Sequence, residues 1–329
     1  MTRLGQSRFP DGKKFAFTIV DDTDVATVAN VKPMYDLLYE LGLQTTKTVW
    51  PVGCPEGSPD FSSSQTLEDG DYAAFAVDLQ QRGFELTWHG ATMETSTRPR
   101  TIAALERFRE LFGAYPRIHL NHAFNRENVY WGAGRLDSPT LRALVGRFAG
   151  WPADYFAGNV EGSPFWWGDR CARHVTYGRN LTTNQINTAR FNPSMPYRDP
   201  ARPLVAWWFS SSDAEGVEEF NDLIHPRQQE RLERDGGVCI VATHFGKDFV
   251  RDGKINPVTR ARLEELSQRP GWFPTTGKLL DWLRARRMGE SGSTGFLPSR
   301  EWRRMQWQFV IDLALRKKKK NRRADEKSG

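Results

Sequence analysis

Six histidines occur in 329 residues, and three of them stand where apolar runs end: His89 after FELTW, His122 after RIHLN and His244 after CIVAT. A fourth run, KKFAFTIVDDTD at 13–24, ends on the carboxylates Asp21, Asp22 and Asp24. Carboxylate oxygen and neutral imidazole nitrogen suit Zn²⁺ and related divalent ions, and a three-ligand site leaves room for a water whose pKa falls to about 7. With two adjacent acids, one can bind metal while its neighbour removes the proton from that water. Taken singly, each has a plainer reading. A His at a strand end is commonly a hydrogen-bonded structural residue, and paired Asp residues commonly make a turn plus a helix cap, for which Thr23 or Asp24 would serve. The coincidence of several such residues at strand ends favours the chemical reading.

The elements that must position them alternate. Phe15 to Val20 reads as a strand buried on both faces, followed by a helix around 31–42, a strand at 45–52, a loop at 53–64, a helix near 65–82 and a strand at 84–90. A helix at 98–112 precedes a strand at 117–123, and further strands are expected at 204–211 and 237–245, each followed by helical sequence. Regular β-then-α order favours a parallel sheet of about seven strands, either open or closed into a barrel, with its chemistry gathered at the strand ends. Residues 125–200 break the rhythm. They are rich in Asn, Gly, Pro and Trp and read as a long inserted, lid-like segment.

At these residues the chain resembles the polysaccharide deacetylase family, carbohydrate esterase family 4, over roughly residues 13–285. FTIVDDTD looks like the family's first motif, a strand ending in two Asp residues, and THFGKDF looks like its last, a strand ending in His. The resemblance implies an α/β fold, a distorted (β/α) barrel, and a metal-dependent hydrolase that removes an N-acetyl group from a carbohydrate. It implies Asp21 as catalytic base, Asp22 as a metal ligand and His244 as the acid toward the leaving amine, with Zn²⁺ as the expected ion. The family's second motif places metal-binding histidines at i and i+4, whereas this chain has His89 followed by Met93. His122 is therefore the candidate third ligand, with His119 the alternative on that strand and Glu94 and Thr95 behind it. The family's Arg-Pro-aromatic motif is absent, so Arg98 or Arg126 is expected to orient the base. Trp131 and Trp166, in the irregular segment, offer flat faces for a sugar ring, and Asn125 and Arg98 offer polar contacts to its hydroxyls. Asp213 matches the family's fourth motif weakly and reads equally well as a helix cap. A non-catalytic glycan-binding protein on the same fold is the alternative function.

Composition sets the remaining bounds. Cys54, Cys171 and Cys239 show no C-x-x-C spacing and read as reduced thiols. The first fourteen residues hold no apolar run fit for a signal peptide, and no segment reaches the roughly 18 apolar residues of a membrane span, so a cytoplasmic protein is expected. That places its action on a nucleotide-linked or lipid-linked N-acetyl sugar in glycan biosynthesis. The net charge of +6 is local: residues 299–329 hold 11 Lys/Arg and 4 Asp/Glu, leaving 35 and 36 for residues 1–298. The boundary at 298 thus separates a neutral catalytic barrel from an amphipathic helix and basic tail. The helix carries Trp302, Met305, Phe309 and Leu313 at spacings of three and four, and seven cations follow within 316–323. It would pack on the barrel or lie on an anionic membrane surface. Nucleic acid is the weaker partner, since the body is neutral and shows no recognised nucleic-acid motif.

Overall fold

Side chains of the apolar runs alternate between two interiors, and that alternation builds the molecule. A computed structural model describes residues 9–61, 63–149, 154–290 and 292–328, with the backbone alone for 147–149 and 320–328. Strands β1 (Phe15–Asp21), β2 (Thr46–Val49), β3 (Glu85–Trp88), β4 (Ile118–His119), β5 (Tyr177–Thr183), β6 (Trp207–Asp213) and β7 (Val238–Thr243) pair in parallel in that order. Strand β7 pairs back on β1, from Ala16 opposite Val238 to Asp21 opposite Thr243, so the seven strands close into the expected barrel.

On β1, Phe15, Phe17 and Ile19 face outward and pack with Val31, Tyr35 and Leu38 of the helix Val28–Glu40. Ala16 and Val20 face inward and meet Ile118, Leu120, Tyr177, Phe209, Val238 and Ile240. Fully burying each large apolar side chain contributes roughly 1.5–3 kcal/mol. The N-terminal end of the barrel is closed by Leu279 and Leu280 of the helix Thr276–Gly289. There the first backbone N–H groups of that helix donate to Thr46 Oγ1 and Glu85 Oε2, at 2.9 and 2.8 Å. Polar residues at the C-terminal strand ends are left to line the other mouth.

The segment 125–200 holds more than loop. It carries the helices Pro139–Ala149 and Gly168–His174 and the barrel strand β5. Strand β5, YGRNLTT, is wholly buried yet reads as polar, because Arg179 and Asn180 occupy positions that apolar side chains fill in its neighbours. The cap of the first helix also differs from expectation: Thr27, in a reciprocal box with Asn30, holds it in place of Thr23 or Asp24. The helix Ser299–Ser328 packs on the barrel through Met305, Phe309 and Val310. Asp312 accepts from Thr183 Oγ1 at 2.7 Å and from Asn184 N at 3.1 Å, which fixes this helix at the C-terminal ends of β5 and β6.

Candidate functional site

The period of two along β1 separates its terminal acids. Asp21 shares the outward face of Phe15, Phe17 and Ile19 and is fully buried beneath the first helix. Its Oδ2 accepts from Tyr35 OH and Lys47 Nζ, both at 2.8 Å, and its Oδ1 accepts from Phe245 N at 2.8 Å. Lys47 is equally buried. Although burial opposes its charge, Asp21 holds the ammonium pKa above its usual value.

Asp22 follows Val20 into the barrel. Arg179 of β5 reaches across to it, with Nη2 at 2.8 Å from Oδ2. Burial alone would raise the Asp22 carboxyl; the Arg179 guanidinium, with His89 and His244, more than offsets this and lowers it. Arg98 and Arg126, expected to orient the base, lie elsewhere. Arg98 makes a bidentate pair with Asp169 at 2.7 and 2.8 Å and donates to the Trp166 carbonyl. Arg126 lies over the rings of Tyr155 and Phe165.

Asp24 is the acid on which the histidines converge. The Nε2 atoms of His89, His122 and His244 stand 3.6, 3.7 and 3.4 Å from its carboxylate oxygens, and Lys247 Nζ lies at 3.5 Å. The three rings are held from behind. Nδ1–H of His89 donates to the Leu120 carbonyl at 3.0 Å and that of His244 to the Glu215 carbonyl at 2.7 Å. Asn125 spends its amide hydrogens on the Thr92 and Glu94 carbonyls and Glu127 Oε1, so its Oδ1 accepts from His122 Nδ1 at 2.9 Å. Each ring therefore presents Nε2 toward the acids. Two glycines permit this approach. Gly90, at φ +127°, turns the chain directly after His89. A Cβ on Gly246 would meet the backbone of Asp24, Val25 and Ala26 at 2.8 to 2.9 Å, so only glycine seats the His244 loop on the Asp24 loop.

Electrostatics divides the histidines. Burial pushes His89 down to about 3 against the pull of Asp22 and Asp24. His122 and His244 are also opposed by burial, but the Asp24 carboxylate raises both. Burial would raise Asp24 as well, yet the facing imidazoles hold it well below the usual carboxylate range. Trp50 walls the cluster, 5.2 Å between centroids from both His89 and His122. His119, three residues before His122, points to the opposite side of β4 among Trp88 and Trp167, and burial lowers its pKa to about 4.

Among the described residues no group of three or more His, Cys, Asp or Glu side chains is arranged to hold a metal ion as it stands. Two donor separations at Asp24 nevertheless suit one. Tetrahedral bonds of about 2.0–2.2 Å to Zn²⁺ put ligand atoms roughly 3.3–3.6 Å apart, near the separations of Asp24 from His89 and His122. Asp24 Oδ1 is buried with no hydrogen-bond partner. Of the other residues singled out from sequence, Trp131 is half-buried and donates to the Ala123 carbonyl at 3.3 Å, beside His122. Trp166 is half-buried in the Arg98–Asp169 corner. Met93 Sδ, at the i+4 position from His89, accepts from the hydroxyls of Ser63 and Ser64. Asp213 pairs with Arg316 rather than capping a helix.

A parallel barrel whose open end gathers two carboxylates, three oriented imidazoles and a guanidinium is built for polar catalysis or ion binding. No family model matches the sequence, and no curated protein does. Among solved structures, the chain is similar to a putative polysaccharide deacetylase from Mycobacterium smegmatis, with 11% identity and a TM-score of 0.48 over 91% of this chain and 99% of the other. It is also similar to PuuE allantoinase, with 12% identity and a TM-score of 0.48 over 86% and 95%. A probable polysaccharide deacetylase from Pseudomonas aeruginosa PAO1 gives 13% and 0.47 over 86% and 95%. At these identities a functional reading has to come from this chain's own side chains.

Proposed function

We propose that this protein is a metal-dependent hydrolase that removes an N-acetyl group from a carbohydrate. Asp24, His89 and His122 would hold the divalent ion, most readily Zn²⁺. The observation that carries this reading is the convergence of oriented Nε2 atoms on Asp24, whose Oδ1 has no partner. It moves the assignments along β1: the base becomes Asp22 instead of Asp21, and the carboxylate ligand becomes Asp24 instead of Asp22.

When bound, the ion would act as a Lewis acid on the acyl carbonyl and acidify a water beside it. Asp22, kept ionised by Arg179, takes the proton of the attacking water. His244, fixed through Nδ1–H on the Glu215 carbonyl, delivers a proton from Nε2 to the departing amine. The C–N bond breaks, leaving acetate and a free amino sugar. Trp131, beside His122, supplies a face for the sugar ring, while Asn125 orients His122.

The outer face of the C-terminal helix supports action at an anionic membrane surface. Trp307, Ile311 and Leu315, spaced by four, are 53%, 50% and 54% exposed. Arg300, Arg303, Lys317 and Lys318 are exposed around them, whereas Arg304 donates to the Phe191 carbonyl, Lys319 pairs with Asp222 at 2.9 Å and Asp312 is buried against the barrel. Each such cation adds about 1 kcal/mol near an anionic surface. Lys320, Arg322 and Arg323 of the same run lie outside the described side chains. Among the described residues no helix is long and apolar enough to cross a membrane. A precursor sugar carried on a lipid or nucleotide fits this placement.

The test is Zn²⁺ calorimetry on the wild type and on Asp24→Ala, His89→Ala and His122→Ala, followed by acetate release from N-acetyl amino sugars. Tight binding abolished by all three, with release lost in Asp22→Asn, is the expected result. A wild type that binds no divalent ion overturns the reading. One that binds the ion and sugars yet releases no acetate is the glycan-binding alternative.

A further inference from the structure

Arg135 is a buried cation without an acid. It ends the helical turn Gly132–Arg135 and is 9% exposed. Its Nε–H donates to the Gly132 carbonyl at 3.2 Å, and its guanidinium sits 4.0 Å from the Trp131 ring centroid and 4.6 Å from that of Phe309. Among the described residues neither Nη atom bonds another protein group, and neither is sealed from solvent. Arg202 shows the usual arrangement nearby: its three nitrogens go to the Gly134 carbonyl, Asp199 and Asp137 at 3.0, 2.5 and 2.7 Å. Buried guanidinium groups are normally paired in this way, because an uncompensated buried charge is costly.

The neighbours of Arg135 are further cations. Burial, with Arg316 and Arg179 close by, pushes its pKa down to about 9. Asp213, the acid that pulls the other way, is already bonded to Arg316. Arg179 gives both Nη groups to Asp22 and leaves its buried Nε–H without a partner. Geometry links the three. Arg135 lies over Phe309 of the C-terminal helix, Arg316 of that helix donates to Thr182 Oγ1 at 3.1 Å, and Thr182 shares β5 with Arg179. Arg135 and Arg179 thus bring spare donors to neighbouring elements of one rim. Trp131 joins this rim to the His122 loop through the Ala123 carbonyl.

We propose that Arg135, Arg179 and Arg316 form an oxyanion subsite that binds a phosphate or carboxylate borne by the substrate. Planar guanidinium forks match the geometry of both groups, and the aromatic faces of Trp131 and Phe309 hold the Arg135 plane fixed before the ligand arrives. The inference rests on the reading of the site as one that acts on a glycan, and it narrows the substrate to an anionic one, such as a sugar carried on a phosphate ester. The bound oxyanion would supply the negative charge that the fold does not place beside Arg135.

The test is calorimetric titration of the full chain, in EDTA so that no ion occupies the histidine cluster, with inorganic phosphate, glucose 1-phosphate and glucuronate. Saturable binding of at least one is expected, and the tightest of them names the source of the oxyanion. Arg135→Gln should weaken it at least tenfold and Arg135→Lys by less, while the Tm of Arg135→Gln in ligand-free buffer equals or exceeds that of the wild type. A merely structural Arg135, clamped between two rings, predicts a lower Tm with unchanged affinity. Should Arg135→Gln not fold, Arg316→Gln carries the same test: at least threefold weaker binding supports the subsite, and unchanged affinity overturns it. Absence of binding by the wild type to all three probes also overturns it. Neither metal binding nor acetate release is read, so failure here leaves the deacetylase proposal standing.

Discussion

Asp21 ends β1 and Asp24 follows it by three residues, yet the first carboxylate is fully bonded and the second is not. Asp21 has three donors at 2.8 Å and a buried ammonium that balances its charge. Asp24 faces three imidazoles at 3.4 to 3.7 Å and keeps one oxygen without a hydrogen bond. Buried polar groups that serve only the fold are almost always satisfied, so an unsatisfied, charge-perturbed group at a barrel mouth points to a ligand. Alternation puts Asp21 on the face of Ile19 in the helix layer and Asp22 on the face of Val20 in the barrel, while Asp24 sits past the strand end in the turn that faces the histidines.

Substitution at each position sharpens that contrast. The largest effect belongs to Asp22→Asn, expected to lower kcat by about 10²–10⁴-fold, the usual worth of a positioned base, with Zn²⁺ affinity retained. Acetate release per bound ion measures it. An Asp22→Asn variant as active as the wild type would return the base to another residue. Next comes Asp21→Asn, which strands buried Lys47 and should cost about 3–5 kcal/mol in urea unfolding while the folded fraction keeps its metal and its activity. Loss of Zn²⁺ without loss of stability would break the assignment of the two faces. Asn125→Ala is the milder case. It frees Nδ1 of His122 from its anchor and should weaken Zn²⁺ binding about 10–100-fold, as outer-shell changes do. Unchanged affinity would show that the ring needs no such support.

Much of this was legible in the sequence. The β-then-α rhythm, the strand-end histidines and the acids after β1 are all read from the order of apolar runs, and the structure gathers His89, His122, His244 and Asp22 at one mouth. The face of each acid was also open to reading: counting by twos from Phe15, Phe17 and Ile19 puts Asp21 among the bulky residues of the helix layer. The same count separates His119 from His122. Strand β5 was not legible, because its inward positions serve the site and so interrupt its hydrophobic pattern. With that strand hidden, Arg179 gave no signal as the partner of Asp22. Nor could sequence show that Arg135 lacks an acid, since Asp137 lies two residues away and is bound to Arg202 instead.

The two faces of the C-terminal helix repeat the contrast on a smaller scale. Its inner face is satisfied: Phe309 and Val310 are in the core, and Asp312 is bonded to Thr183 and Asn184. Its outer face carries Trp307, Ile311 and Leu315 among exposed cations. Half-burial of an Ile in a lipid interface is worth about 1 kcal/mol, so Ile311→Ser should weaken partition into anionic vesicles roughly fivefold and leave the urea midpoint in place. Val310→Ser, one residue earlier and turned inward, should do the reverse. Co-sedimentation with vesicles of anionic and of neutral lipid reads both outcomes. Equal partition into the two lipids, or an Ile311→Ser variant that binds as well as the wild type, would make the outer stripe an ordinary solvated surface and leave the membrane placement without support.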